Sequence, residues 1–179
     1  MKKLCISFLA LAIIILTGVG LCLGGGEPET RYLRIHIRAD SNDPAAQAVK
    51  YLVKDAVVEY LTPFIAECDT KKKAETLLSK RLDEIERVAD GTLKENGFSY
   101  KSRAAVRNEK FPTRSYGSFT LESGYYDALI IELGSGEGDN WWCVVYPPLC
   151  FTGDTGAGYV YKSKIYEIIR NFTDRIKEE

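Results

Sequence analysis

His36, the only histidine of the chain, is the first residue to consider for chemistry. It lies between Arg34 and Arg38 in residues 31–39, where apolar and polar residues alternate as in a half-buried β-strand with a basic outer face. A general base needs a nucleophile within hydrogen-bond reach, and the sequence carries no Gly-x-Ser-x-Gly, His-Glu-x-x-His or catalytic-cysteine signature. Like charge from the two arginines also disfavours an imidazolium. We therefore predict no catalytic residue and expect Arg34, His36 and Arg38 to contact a partner.

A glycine-rich stretch over residues 134–140 resembles a phosphate-binding loop only superficially. A phosphate loop needs a helix behind it and, in its common form, a Lys-Ser/Thr pair, whereas a strand pattern without lysine follows here. Such a stretch is typical of a hairpin loop, because tight turns need residues that tolerate positive φ. We assign Gly134, Gly138 and Asn140 structural roles.

Both tryptophans of the chain, Trp141 and Trp142, are adjacent in a predicted strand. Successive strand residues point to opposite faces of a sheet, so the two rings cannot enter the same core. We expect Trp141 to pack under the helices and Trp142 to lie on the outer face, where a tryptophan can anchor a partner.

The segment after the tryptophans combines two cysteines with a Tyr-Pro-Pro corner. Cys143 and Cys150 could close a small loop by a disulfide, which an exported protein permits; the alternative is two buried thiols. Proline fixes φ, so Tyr146, Pro147 and Pro148 would form a stiff corner. A stiff loop loses little entropy on binding, and we predict these three residues as further partner contacts.

The remaining composition excludes several classes of protein. The net charge of −1 argues against a nucleic-acid binder, which would carry a basic patch. Cys68 has no evident partner and is expected to be a packed or free thiol. The cysteine spacing and the single histidine disfavour zinc, so no metal and no cofactor are predicted.

The first 26 residues predict export. Two lysines precede an apolar run of about 20 residues that ends in three glycines, as in a signal peptide or a membrane anchor. The lysines should keep the N-terminus in the cytoplasm and send residues 31–179 out as a single α+β domain. If it is not cleaved, this leader helix contacts the membrane.

Hydrophobic periodicity predicts the order β-α-α-β-β-β-β-α. Strands are expected near residues 31–39, 98–106, 116–121, 126–133 and 141–146. Helices are expected from Asp43, from Asp69-Thr70 and from Ser163. Segregated elements of this kind indicate an α+β fold in which helices pack on one face of an antiparallel sheet.

Three blocks of the sequence resemble the stage II sporulation protein R family. They are residues 33–42 (Leu-Arg-Ile-His-Ile-Arg-Ala-Asp-Ser-Asn), residues 111–117 (Phe-Pro-Thr-Arg-Ser-Tyr-Gly), and residues 124–151 with their Trp-Trp-Cys and Pro-Pro-Leu-Cys motifs. The last block is the most specific, and the resemblance extends over roughly residues 31–152.

The resemblance implies a signalling protein rather than an enzyme. Such proteins are made in the forespore and exported into the space between forespore and mother cell. There they activate a membrane-embedded aspartic peptidase, which processes the sigma-E precursor. The residues alone leave two alternatives open: a secreted cell-wall hydrolase, which needs paired carboxylates or a histidine–nucleophile pair in a cleft, and a glycan-binding module that uses exposed aromatics.

Overall fold

A computed structural model describes residues 31–116, 119–151 and 159–177 of the chain. The predicted leader, residues 1–26, lies outside the described residues. No helix in the described ranges is long and apolar enough to cross a membrane.

The described residues form four α-helices, six strands and one 3-10 turn. The helices are α1 (Pro44–Ile65), α2 (Lys71–Ser79), α3 (Leu82–Glu95) and α4 (Tyr159–Lys177). The strands are β1 (Leu33–Arg38), β2 (Ser102–Phe111), β3 (Arg114–Tyr116), β4 (Phe119–Leu121), β5 (Gly124–Leu133) and β6 (Asn140–Tyr146), and the 3-10 turn is Leu149–Phe151.

Side-chain caps explain where the first two helices begin. The Asp43 carboxylate accepts a hydrogen bond from the Ala45 amide, and Pro44 occupies the first helical position, as predicted. Thr70 caps α2 through the Lys73 amide. The second predicted helix is in fact two, α2 and α3, because the chain leaves helical geometry between Ser79 and Leu82.

The α+β class is confirmed, but the sheet is mixed. Its strand order is β2-β5-β1-β6, with β1 parallel to β5 and antiparallel to β6. The expected hairpin between β5 and β6 is therefore wrong, because β1 lies between them. A separate two-stranded sheet, β3-β4, accounts for the additional strand.

The two faces of the four-stranded sheet have different coverings. Leu33, Ile35 and Ile37 of β1 join the helices in the main hydrophobic core. The opposite face carries Arg34, His36 and Arg38, and we call it the polar face. Its own apolar cluster contains strand residues and no helix residue among those described: Phe111, Tyr126, Ala128 and Ile130, with Tyr32 and Trp142 packed against them.

Candidate functional site

The polar face is the candidate functional site, but it is less exposed than the sequence suggested. Arg34 is 0% exposed and His36 is 4% exposed, whereas Arg38 is half-buried. The prediction of an exposed basic face is therefore wrong for Arg34 and His36. Alternation correctly puts their side chains on one side of the sheet, but long side chains from β2 and from the β3-β4 hairpin cover them.

His36 lies in a closed set of polar and aromatic contacts. Its Nδ1 is 2.7 Å from Oε1 of Glu109 and its Nε2 is 2.8 Å from the side-chain amide of Asn140. The ring stacks on Trp142 at 5.3 Å and meets the edge of Phe111 at 5.7 Å. Both ring nitrogens are occupied, so this geometry holds the imidazole in place rather than aiming it at a substrate.

The charges on His36 and Glu109 are set by burial and by each other. Burial lowers the pKa of His36, although its bonds to Asn140 and Glu109 act in the opposite direction. Burial alone would raise the pKa of Glu109, but the bonds from His36 and Arg38 lower it on balance. An ionised carboxylate can only accept, so Nδ1 of His36 is the donor to Glu109.

Arg38 and Arg107 are joined by two carboxylates across three strands. Arg38 donates to Glu109 at 2.7 Å and to Glu132 at 3.0 Å. Arg107 donates to the same carboxylates at 3.1 Å and 2.9 Å. We call these four residues the charge network. It crosslinks β1, β2 and β5 on the polar face, and shared partners make such a network stronger than isolated surface pairs.

Arg34 occupies an aromatic cage beside this network. Its guanidinium carbon lies 4.2 Å from the ring centre of Phe111 and 4.9 Å from that of Tyr126. Its Nη2 donates to the Tyr116 hydroxyl at 2.7 Å. The cage is made by β1, β2, β5 and the β3-β4 hairpin, so it forms only in the folded chain.

The tryptophans separate as predicted. Trp141 packs against the main core, and Lys54 lies 5.9 Å from its ring centre. Trp142 is half-buried on the polar face, between the His36 ring and the guanidinium of Arg114, which lies 4.3 Å from its ring centre. Trp142 and Arg114 thus present an aromatic–cationic surface at the edge of the polar face.

Comparison with known proteins decides the family. The sequence profile of the family described as stage II sporulation protein R matches residues 29–156. The chain belongs to this family. A protein of Bacillus subtilis (strain 168) named stage II sporulation protein R is 30% identical over 147 residues, which are 82% of this chain and 66% of the relative. The chain thus spans slightly less than two thirds of that relative's length. No solved structure matches the chain.

The Tyr-Pro-Pro corner is less exposed than the sequence suggested. Tyr146, Pro147 and Pro148 are buried, so they form no exposed surface in this conformation, and their contact with a partner stays a prediction. The Tyr146 hydroxyl donates to the Asp69 carbonyl at 2.6 Å. A bulge in β6 opposite Leu33 and Arg34 turns Tyr146 toward the helices, which alternation alone would not predict.

The predicted disulfide between Cys143 and Cys150 is present, with a Cα–Cα distance of 6.0 Å. It ties the middle of β6 to the 3-10 turn, whose Phe151 enters the main core. Cys68 is a buried free thiol, as expected. Burial raises its pKa, which keeps the thiol protonated and unreactive.

The glycine loop packs against the first family block instead of turning a hairpin. A Cβ at Gly134, where φ is +58°, would lie 2.1 Å from the Asp40 carboxylate. A Cβ at Gly138 would lie 2.3 Å from the Ser41 carbonyl oxygen. The Gly138 amide donates to the Ala39 carbonyl at 2.9 Å. Only glycine permits this approach, which joins the two loops at one end of the sheet.

Glu109, Glu132 and Arg114 belong to the site but were not predicted from the sequence. Both glutamates lie in strands, where a charged residue usually indicates a position that faces solvent. No local pattern shows that Glu109 contacts His36 and Arg38 or that Glu132 contacts Arg38. Arg114 belongs to the second block of the family resemblance, which was a usable signal. In the described part of the chain, no group of three or more His, Cys, Asp or Glu side chains could hold a metal.

Proposed function

We propose that this chain is an exported signalling protein of sporulation, without catalytic chemistry of its own. On leaving the forespore it activates a membrane-embedded aspartic peptidase of the mother cell, and the peptidase then processes the sigma-E precursor. Family membership supports the sporulation role. The export signal predicted for residues 1–26 supports action in the space between the two membranes.

One observation carries the choice of contact surface. All three blocks of the family resemblance send side chains to the polar face: Arg34, His36 and Arg38 from the first, Phe111, Arg114 and Tyr116 from the second, and Asn140 and Trp142 from the third. Arg114 and Asn140 are exposed and Trp142, Arg38 and Tyr116 are half-buried, whereas Arg34, His36 and Phe111 are buried beneath them. A tryptophan flanked by arginines is a typical interface anchor.

Activation requires that the peptidase bind this surface more tightly in its active state than in its inactive state. A ligand with equal affinity for both states shifts neither population. A tenfold preference corresponds to about 1.4 kcal/mol, which one buried tryptophan contact can supply.

The test is co-expression of this chain with the candidate peptidase and its precursor substrate in a non-sporulating host. We expect processing to depend on the chain. Trp142→Ala should abolish processing while export and folding persist. Tyr51→Ala is the matched control, because Tyr51 is an exposed aromatic on α1, in the layer of helices that covers the other face; it should process normally.

Three results would count against the proposal. Normal processing with Trp142→Ala would remove the polar face as the contact surface. The hydrolase alternative rests on the contact between His36 and Glu109. It would be favoured if the purified protein cleaved a peptide or a wall glycan and lost that activity on His36→Gln. Retention of the intact protein on cell-wall material would favour the glycan-binding alternative.

A further inference from the structure

Three buried donors on the polar face lack an acceptor. Nε and Nη1 of Arg34 and Nε1 of Trp142 are inaccessible to solvent and have no hydrogen-bond partner in the described part of the chain. The Arg34 side chain is wholly buried, and its one bond goes to the Tyr116 hydroxyl. Buried donors without partners are rare in native proteins, and each calls for an explanation.

These donors lie on adjacent strands. Arg34 is opposite Val144 and His36 is opposite Trp142 in the β1-β6 ladder, so Arg34 and Trp142 are diagonal neighbours on one face. A second arginine, Arg114, contributes to the site, and its guanidinium lies over the Trp142 ring. The site therefore collects positive charge and N–H donors from β1, β3 and β6.

The carboxylates of the polar face are used elsewhere. Glu109 accepts from His36, Arg38 and Arg107, and Glu132 accepts from the same two arginines. Arg34 has no carboxylate partner among the described residues. A charged guanidinium held away from water is most strongly stabilised by a carboxylate.

We propose that Arg34 and Trp142 form a binding site for a carboxylate of a protein partner, supplied by an acidic side chain or a chain terminus. The proposal rests on the proposed function, in which a partner docks on this face, and it specifies the chemical group that the partner contributes. The carboxylate accepts hydrogen bonds from Arg34 and from the Trp142 indole.

Entry to the site requires the β3-β4 hairpin to separate from the sheet. The hairpin's strands are three residues each, and among the strands that the structure describes they pair only with each other. Tyr116 of the hairpin holds Arg34 by one hydrogen bond. Tyr116→Phe removes that bond, so it should ease entry and tighten carboxylate binding.

The experiment uses the full chain, purified in an uncharged detergent, with ¹⁵N-labelled tryptophan indoles. Sodium acetate replaces sodium chloride at constant ionic strength and pH 7, and the Trp142 indole N–H resonance is followed by NMR. Trp141→Phe assigns the two indole signals. We expect a saturable displacement of the Trp142 signal with acetate and none with chloride.

Arg34→Gln should weaken the apparent acetate affinity about tenfold or more, because it removes the charged donor. Arg103→Gln is the matched control: it removes a positive charge from an exposed side chain on β2 and should leave the affinity unchanged. Tyr116→Phe should bind acetate more tightly than the unmodified chain.

The absence of a saturable displacement, or one that Arg34→Gln leaves intact, would overturn the proposal. If Arg34→Gln does not fold, the Tyr116→Phe variant provides the test. If that variant binds acetate no more tightly than the unmodified chain, the result would count against the site. The titration contains no peptidase, so a negative result leaves peptidase activation standing. If the precursor is not processed in the co-expression experiment, the acetate result is likewise unaffected.

Discussion

The charge network makes a quantitative prediction at Glu109. Its Oε1 accepts from His36 and from Arg38 at 2.7 Å each, and its Oε2 accepts from Arg107 at 3.1 Å. Glutamine has the same shape but no charge, and it offers one acceptor and one donor where the carboxylate offers two acceptors. Glu109→Gln therefore weakens two bonds to arginine and one to the imidazole.

The expected loss is moderate because Glu132 remains. A hydrogen bond to a charged group contributes about 1.5–3 kcal/mol. Arg38 and Arg107 both keep their bonds to Glu132. We therefore expect Glu109→Gln to lower the free energy of unfolding by about 2–3 kcal/mol, which appears as a lower urea midpoint at an unchanged m-value.

The matched control is Glu84→Gln on α3. Glu84 pairs with Arg87 at 3.4 Å on an exposed helix surface, where one ion pair contributes no more than about 0.5 kcal/mol. Both variants lose one negative charge, so their difference isolates the contribution of the network. Equal losses in the two variants would refute the reasoning.

The pH dependence gives an independent check. The pKa of Glu109 is lower in the folded chain than in the unfolded chain. Its contribution is therefore fully present above the unfolded value of about 4.3 and is lost as the pH falls through the folded pKa. The difference in the free energy of unfolding between the unmodified chain and Glu109→Gln should therefore be largest at pH 7. It should become smaller below about pH 4. A difference that stays constant down to pH 3 would also refute the reasoning.

Further predictions concern the backbone connections that support the polar face. Replacing Cys143 and Cys150 by alanine opens a loop with a sequence separation of 7, for which chain entropy predicts a loss of about 2.5 kcal/mol; urea unfolding measures it, and unchanged stability would contradict a formed bridge. Gly138→Ala places a Cβ against the Ser41 carbonyl and should cost about 1–3 kcal/mol in the same assay. Gly91 lies in a helix, and a Cβ there would have no atom within 4 Å, so Gly91→Ala should leave stability unchanged or raise it. Equal effects of Gly91→Ala and Gly138→Ala would argue against the close contact between Gly138 and Ser41.

Much of the local structure could be predicted from the sequence. Alternation correctly assigned Leu33, Ile35 and Ile37 to one side of β1 and separated Trp141 from Trp142. Asp43 and Thr70 correctly indicated where α1 and α2 begin, because helix capping depends on residues close in sequence. The disulfide was predicted from two cysteines close in sequence and from the predicted export signal.

The sheet order and the burial of the site could not be predicted in this way. Backbone hydrogen bonds are nearly independent of side chain, so nothing local specified that β1 would enter between β5 and β6. The β5–β6 connection looked like a hairpin loop because its glycines suit a turn. Those glycines instead allow close contact with Asp40 and Ser41, which lie about a hundred residues earlier in the chain.

The sequence by itself determined the family, the α+β class and which side chains share a face, because these depend on residue types and their spacing. Only the tertiary structure decided that Arg34, His36 and Tyr146 are buried. Exposure depends on which distant elements cover a face, and here these are the end of β2, the β3-β4 hairpin and a bulge in β6. The same covering leaves Trp142 and Arg38 accessible, since neither lies fully beneath those elements.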